Sequence, residues 1–195
     1  MKKFIPVILV LLLTITTTAC SSSFGAGEAK KGKSNSFDLG KPATATFETR
    51  NGDEKENVTI TVDEVKRGEE AFDFLKSKMS GMWTVAEQEE PYEYAIAKIT
   101  FTLNSYENAD NSKTKKAQTF YPTSSAGERY PGLLLGTMWY NDTDFPRLTD
   151  HEFAVGDTFT GYEVLIIDKN ESKPMLTYRN FLQDNSDGFW FNLYN

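Results

Sequence analysis

Residues 158–168, with the sequence TFTGYEVLIID, decide the fold class. Towards the end of this stretch, Val164 and Ile166 would face one side of an extended chain and Leu165 and Ile167 the other. A run of this length that is apolar on both faces and bounded by turn residues is typical of a buried β-strand. We therefore expect a central strand that is covered on both sides.

Working outward, the same two-residue period recurs along the chain. Strands are predicted in residues 43–48, 58–63, 94–103, 117–121, 153–155, 174–178 and 189–194, whereas the polar residues 104–116 are expected to form a solvated loop. About seven short strands joined by turn signals predict a mainly β fold, an antiparallel β-sandwich that occupies residues 42–195. Trp190 is expected in its core.

One segment has a helical period instead. Within residues 69–79, Ala71, Phe72 and Leu75 share a face, with two glutamates in the first turn and lysines near the end. Acidic residues at the start and basic residues at the end suit the helix dipole. We therefore predict one short helix in the β domain.

The first nineteen residues have the three parts of a secretory signal. A basic start, Met1-Lys2-Lys3, precedes the apolar residues 4–13 and the small or polar residues 14–19. The apolar run is too short for a permanent membrane-spanning helix, which needs about 20 residues. We expect residues 1–19 to be cleaved from the mature protein.

The residues around the cysteine indicate a lipid anchor. Thr17-Thr18-Ala19-Cys20 resembles the lipobox of bacterial lipoproteins, although Thr17 stands where that family usually has Leu. The resemblance implies cleavage before Cys20 and a diacylglyceryl group on its thiol. This predicts a protein on the cell membrane that faces outside the cytoplasm. The alternative is an ordinary secreted protein with a free cysteine.

Residues 20–41 follow the cleavage position and are rich in Ser, Gly, Ala, Lys and Asn. Such a composition provides few apolar side chains for packing. We therefore predict a flexible linker between the lipidated cysteine and the folded domain.

Short segments in both halves of the domain share their order with a group of bacterial proteins. They are residues 58–65, Arg67-Gly68-Glu69-Glu70-Ala71, Glu93-Tyr94, Phe153-Ala154-Val155-Gly156-Asp157, residues 161–168, Lys173-Pro174 and Trp190-Phe191. Together they resemble uncharacterised lipoprotein domains of Gram-positive bacteria, which are grouped with immunoglobulin-like immunoprotective extracellular proteins. The resemblance covers residues 46–193 and implies an immunoglobulin-like β-sandwich. It implies no catalytic residues.

Composition excludes several functions. With 28 acidic and 21 basic residues, the formal charge is −7, which argues against a nucleic-acid partner because such proteins need a basic surface. One Cys and one His exclude a disulfide framework and most transition-metal sites. We expect no cofactor.

No motif for catalysis stands out. The single histidine, His151, lies between Asp150 and Glu152 and is expected to be a solvated turn residue. Ser124 and Ser125 lack the glycine-flanked turn of a hydrolase nucleophile. No catalytic residue is predicted, although 28 acids leave open a hydrolase that uses paired carboxylates.

Three oxygen-rich stretches raise the question of calcium. They contain Asn108, Asp110 and Asn111; Asn141, Asp142 and Asp144; and Asp184 and Asp187. None matches the EF-hand loop, and Asp and Asn are also common in ordinary turns. No metal site is predicted, and calcium binding by these loops stays open.

Aromatic residues are unusually frequent between residues 130 and 148. Trp139, Tyr140 and Phe145 are candidate anchors for a protein or glycan partner, since exposed aromatic residues dominate binding hot spots. The alternative is a small core within the loop.

The sequence therefore predicts a membrane-anchored extracytoplasmic lipoprotein that acts as a non-catalytic binding or structural module at the cell envelope. Two alternatives stay open. One is an envelope hydrolase that uses acidic residues, and the other is a regulator or inhibitor of a neighbouring envelope enzyme.

Overall fold

Extended strands dominate the part of the chain that the structure describes. The computed structural model describes residues 29–49, 52–78, 85, 87–130, 144–179 and 188–194. In these ranges the strands are β1 (Ala43–Glu48), β2 (Glu54–Arg67), β3 (Tyr92–Asn108), β4 (Thr114–Lys116), β5 (Phe120–Thr123), β6 (Glu152–Ala154), β7 (Thr158–Asp168), β8 (Met175–Tyr178) and β9 (Phe189–Asn192). One α-helix, α1 (Gly68–Lys78), follows β2, and 3-10 turns lie at Lys33–Asn35 and Leu148–Asp150.

The strands form three antiparallel sheets. Four strands pair in the order β1-β2-β3-β7, three in the order β5-β8-β9, and β4 pairs with β6. The mainly β, antiparallel architecture predicted from the sequence is confirmed. No helix in the described ranges has the length and apolar content needed to cross a bilayer.

The larger apolar cluster, here called the central core, lies between the four-stranded sheet and the two smaller sheets. The Phe47 ring, on β1, lies 5.7 Å from Tyr178 and 5.0 Å from Phe189 between ring centroids. Phe101, on β3, lies 4.7 Å from Phe153 on β6. Two antiparallel layers that close on shared aromatic residues are consistent with a β-sandwich.

Trp190 is completely buried, as expected for a core residue. Side chains alternate along a strand, so Trp190 points to the face of β9 opposite Phe189 and Phe191. The latter two belong to the central core.

The helix covers one end of the outer face of the four-stranded sheet. Ala71 and Leu75 are buried there in a second cluster with Tyr94, Ile96 and Ile166. The predicted helix over residues 69–79 is confirmed as α1, although residue 79 lies outside the described residues.

The other end of that outer face carries hydroxyl groups. Thr100 and Thr160 share a hydrogen bond of 2.8 Å, as do Thr102 and Thr158. These pairs of threonines lie directly opposite each other on β3 and β7, where cross-strand hydrogen bonds support the pairing.

The prediction that residues 158–168 form a central strand is wrong. Within the described residues, β7 is at the edge of its sheet and pairs along its length with β3. Both of its faces are apolar because Leu165 and Ile167 face the central core while Ile166 packs under α1. The segment before the second 3-10 turn partly covers its free edge, since Tyr162 donates its backbone N–H to the Pro146 carbonyl at 2.9 Å.

Residues 29–41, which the sequence analysis placed in the flexible linker, lie against the sheets. The Phe37 backbone donates to the Trp190 carbonyl and accepts from the Asn192 N–H, both at 2.8 Å. The Ala29 N–H donates to the Thr44 carbonyl at 2.6 Å. The folded part therefore begins earlier than residue 42, because Phe37 supplies an aromatic side chain that packs 5.6 Å from Phe189.

The expected loop over residues 104–116 is also shorter than predicted. Strand β3 continues to Asn108, and β4 forms from Thr114 to Lys116. Lys115 is buried within β4 because it meets the carboxylate of Glu56 inside the fold.

Candidate functional site

A groove of about 450 Å³ runs beside α1, at the end of the sheet that the helix covers. It is lined by Gly68, Glu69, Phe72, Asp73, Lys76, Glu87, Gln88, Tyr92, Glu93 and Tyr94. The volume falls within the range of small-molecule binding sites, roughly 300–1,000 Å³.

One wall is a single face of α1. Glu69, Phe72, Asp73 and Lys76 are spaced i, i+3, i+4 and i+7, which places them side by side along the helix. The neighbouring face, which contains Leu75, is buried against the sheet. Because burial fixes the rotation of the helix, its mixed polar and aromatic face is turned toward the groove.

The opposite wall is the start of β3 and the residues before it. The Tyr92 N–H donates to the Glu89 carbonyl at 2.9 Å, which forms a turn before the strand. Gln88 hydrogen-bonds the hydroxyl of Tyr94, whose pKa is raised by burial. The Tyr94 and Phe72 rings are nearly parallel, with an interplanar angle of 11° and centroids 6.2 Å apart. These residues give the groove an aromatic base.

A close approach of backbone and side chain defines one end of the groove. Gly68 has φ 57°, and a Cβ there would lie 3.0 Å from Oε2 of Glu93. The other oxygen of Glu93 accepts a hydrogen bond from Arg67 Nε at 2.9 Å and forms an ion pair with Arg67 Nη2 at 2.8 Å. Glycine is suited to this position because it adopts positive φ readily and leaves room for Glu93.

The groove carries excess negative charge. Four of its lining side chains are carboxylates, Glu69, Asp73, Glu87 and Glu93, and one is the ammonium of Lys76. The first three and the lysine are exposed, so they form a charged rim around the aromatic base. The Nζ of Lys76 lies 4.9 Å from the centroid of the Phe72 ring, within the distance of a cation–π contact.

Of the predicted partner-binding residues, Phe145 alone lies within the described part of the chain. Trp139 and Tyr140 lie outside the described residues. Phe145 is only 4% exposed, and its ring lies 5.1 Å from Phe74 and 4.7 Å from Tyr162. The proposed role of Phe145 as a surface anchor is therefore corrected: its side chain joins α1 to β7.

His151 is packed rather than fully solvated. Its ring stacks on Phe159 with centroids 3.9 Å apart and planes 2° from parallel, and it meets Phe153 edge-on at 4.6 Å. The side chain is half-buried. Its position after the 3-10 turn therefore gives it an aromatic packing role.

The structure describes only some residues of the three oxygen-rich stretches. Asn108 uses Oδ1 to accept the Ser112 N–H at 2.9 Å, as in an ordinary turn. Asn141, Asp142, Asp184 and Asp187 lie outside the described residues. Among the residues that the structure does describe, no group of three or more His, Cys, Asp or Glu side chains is arranged to hold a metal.

A buried ionic cluster lies in the central core, away from the groove. Glu56 has no exposed surface; its carboxylate accepts hydrogen bonds from Arg179 at 2.5 Å and from the Tyr178 hydroxyl at 3.2 Å, and it pairs with Lys115. Burial raises the pKa of Tyr178 well above its usual value. This cluster was not predicted from the sequence, although Glu56 is in phase with the buried Val58 and the alternation there marks it as buried.

A second buried carboxyl belongs to β7. Glu163 is 6% exposed and accepts the Thr149 N–H at 3.1 Å, with Arg147 Nε at 3.8 Å. Burial raises the pKa of this carboxyl to about 7, against the opposing effect of Arg147. The 3-10 turn that covers it packs so closely that a Cβ at Gly161 would lie 2.8 Å from the Leu148 backbone.

The groove itself was not predicted, because glutamates at a helix start are also expected from the helix dipole alone. The sequence signal that could have indicated the groove is the placement of Phe72 beside Glu69 and Asp73 on one face of the helix. Comparisons of the chain with protein-family models, curated proteins and solved structures find no match.

Proposed function

We propose that this protein is a lipid-anchored binding module that works outside the cytoplasm and holds its ligand in the groove beside α1 without changing it chemically. The observation that carries the proposal is the groove, which combines aromatic rings with a charged rim in a volume suited to a small ligand.

The arrangement of carboxyl groups favours binding over hydrolysis. A glycoside hydrolase needs one carboxyl with a raised pKa and a second carboxylate on either side of the same bond. Glu163 has the raised pKa, but it lies under the 3-10 turn and does not line the groove. Within the groove, Glu93 is already engaged by Arg67.

The location and the finer fold assignment come from sequence features. Residues 1–19 and Cys20 have the pattern of a lipoprotein signal and its acylated cysteine. We further propose that the two-layer antiparallel fold is immunoglobulin-like, as the resemblance of residues 46–193 implies. The observed sheets support this assignment at the level of architecture.

The binding function is tested with the full chain purified in a neutral detergent. A panel of cell-wall glycan fragments, short peptides and small organic ions is screened by thermal shift against wild type and Phe72→Ala. We expect at least one compound to raise the melting temperature of wild type only and to be recovered unchanged. A failure of every compound would contradict the groove as a binding site, and chemical conversion of a bound compound would contradict the non-catalytic role.

The anchor is tested by Cys20→Ser in a Gram-positive host. We expect wild type to incorporate labelled palmitate and to sediment with membranes, because its acyl chains hold it in the bilayer. The variant should do neither, while Ser21→Ala should behave as wild type. Equal membrane recovery of wild type and Cys20→Ser would overturn the lipid anchor.

A further inference from the structure

We infer that the ligand of the groove is a small organic cation of the alkylammonium class, which places its charge among the rim carboxylates and its alkyl groups against the aromatic base. This inference rests on the proposed binding function and narrows it to one ligand chemistry.

The first support is the charge of the rim. Among the described residues, Glu69, Asp73 and Glu87 form no ion pair, whereas Glu93 is paired with Arg67. A cation that enters the groove therefore meets carboxylates that no basic residue in the described ranges has paired. An anionic ligand would be repelled by the same groups.

The second support is the aromatic base. Phe72 and Tyr92 are half-buried, and Tyr94 is buried and held by Gln88. Aromatic faces attract ammonium groups through the ring quadrupole and also bury alkyl carbons, so they suit a cation with apolar flanks. A strongly hydrated metal ion would gain nothing from these rings.

The third support is that the chain already places an ammonium group on this base. Lys76 Nζ lies over the Phe72 ring at 4.9 Å. The Lys76 side chain is exposed and has a long, flexible alkyl stem, so an incoming ammonium can displace it from the ring. Lys76 therefore acts as an internal competitor, and its removal should strengthen binding of a cation.

The helix provides a matched control for this competition. Lys78 also lies over an aromatic ring, with Nζ 5.9 Å from the centroid of Phe74. It does not line the groove, and Phe74 packs instead toward Phe145 on the other side of the helix. Lys78→Gln thus makes the same change of charge on the same helix without altering the site.

The test is isothermal titration of the full chain in neutral detergent with choline and with its uncharged carbon analogue, dimethylbutanol. We expect choline to bind wild type and the analogue to bind at least about tenfold more weakly. Lys76→Gln should tighten choline binding by about threefold to tenfold, since it frees the ring and removes a positive charge. Lys78→Gln should bind as wild type, and Asp73→Asn should bind several-fold more weakly.

The outcomes separate this inference from the function on which it rests. Equal binding of choline and dimethylbutanol, both lost in Phe72→Ala, would overturn the cation inference and keep the groove as a binding site. Unchanged or weaker choline binding by Lys76→Gln would also overturn it. Absence of binding by choline, together with a panel compound that binds only wild type and not Phe72→Ala, would reject the cation alone. Absence of binding by every compound would reject both.

Discussion

Two sets of carboxylates in this protein occupy opposite environments. Glu56 lies in the central core with no exposed surface, and the chain surrounds it with Arg179, Lys115 and a tyrosine hydroxyl. At the groove, Glu69 and Asp73 are exposed and form no ion pair among the described residues. The comparison teaches that the chain neutralises Glu56 with its own buried groups, whereas Glu69 and Asp73 keep an unpaired charge at the groove among the described residues.

The largest effect is expected in the core. Glu56→Gln would leave two buried cations without their counter-charge, which typically costs about 3–5 kcal/mol. Urea unfolding of the full chain measures the change in the free energy of unfolding. Glu107→Gln, an exposed position on β3, is the control and should change it by less than about 0.5 kcal/mol. A loss below about 1 kcal/mol for Glu56→Gln would show that the cluster is not coupled to the fold.

The next largest effect on the free energy of unfolding is expected at Glu163, and the size of this effect depends on pH. Its carboxyl pKa is about 7 in the folded protein against 4.5 as the reference value. Because the folded state holds the proton more tightly, this group stabilises the fold below about pH 4.5 and the contribution is lost as pH rises through about 7. The loss is on the order of 3 kcal/mol, since each pKa unit corresponds to about 1.4 kcal/mol.

Glu163→Gln removes this dependence because glutamine does not titrate. Between about pH 5 and pH 8, the free energy of unfolding should fall for wild type relative to the variant, when both are measured in urea. Arg147 and Asp150, the charged groups that act on Glu163, are present in both proteins, so the comparison isolates the change at residue 163. Parallel stability curves for the two proteins would contradict the raised pKa.

The smallest effect on stability is expected in the groove. Asp73→Asn changes an exposed side chain that makes no ion pair within the described residues, so the free energy of unfolding should stay within about 0.5 kcal/mol of wild type. The measurement is the same urea titration. A loss above about 1 kcal/mol would place Asp73 with the structural acids and remove the contrast between the two sets.

Much of the architecture follows from local pattern. The alternation around Val58 and along residues 94–103 predicted strands that the structure contains within β2 and β3. The helical period predicted α1 to within about one residue at its start. These features can be predicted locally because the spacing of apolar residues along the chain determines which face of a strand or helix is buried.

The remaining features depend on distant parts of the chain. Glu56 meets Arg179 across 123 positions, so no local pattern could pair them. A strand that is apolar on both faces, such as β7, needs a packed layer on each face, but it can lie in the middle of its sheet or at the edge. Its own sequence does not distinguish these two positions. The groove likewise appears only when the fold brings Tyr92 and Tyr94 beside Phe72.

The packing of residues 29–41 would limit how far a lipid anchor on Cys20 lets the folded part stand from a bilayer. Ala29 is hydrogen-bonded to β1, and eight residues separate it from Cys20. A fully extended chain covers at most about 3.6 Å per residue, so a lipid on Cys20 would keep Ala29 within roughly 30 Å of the membrane surface. Acylation of Cys20 would therefore hold the N-terminal end of the folded part close to the lipid headgroups.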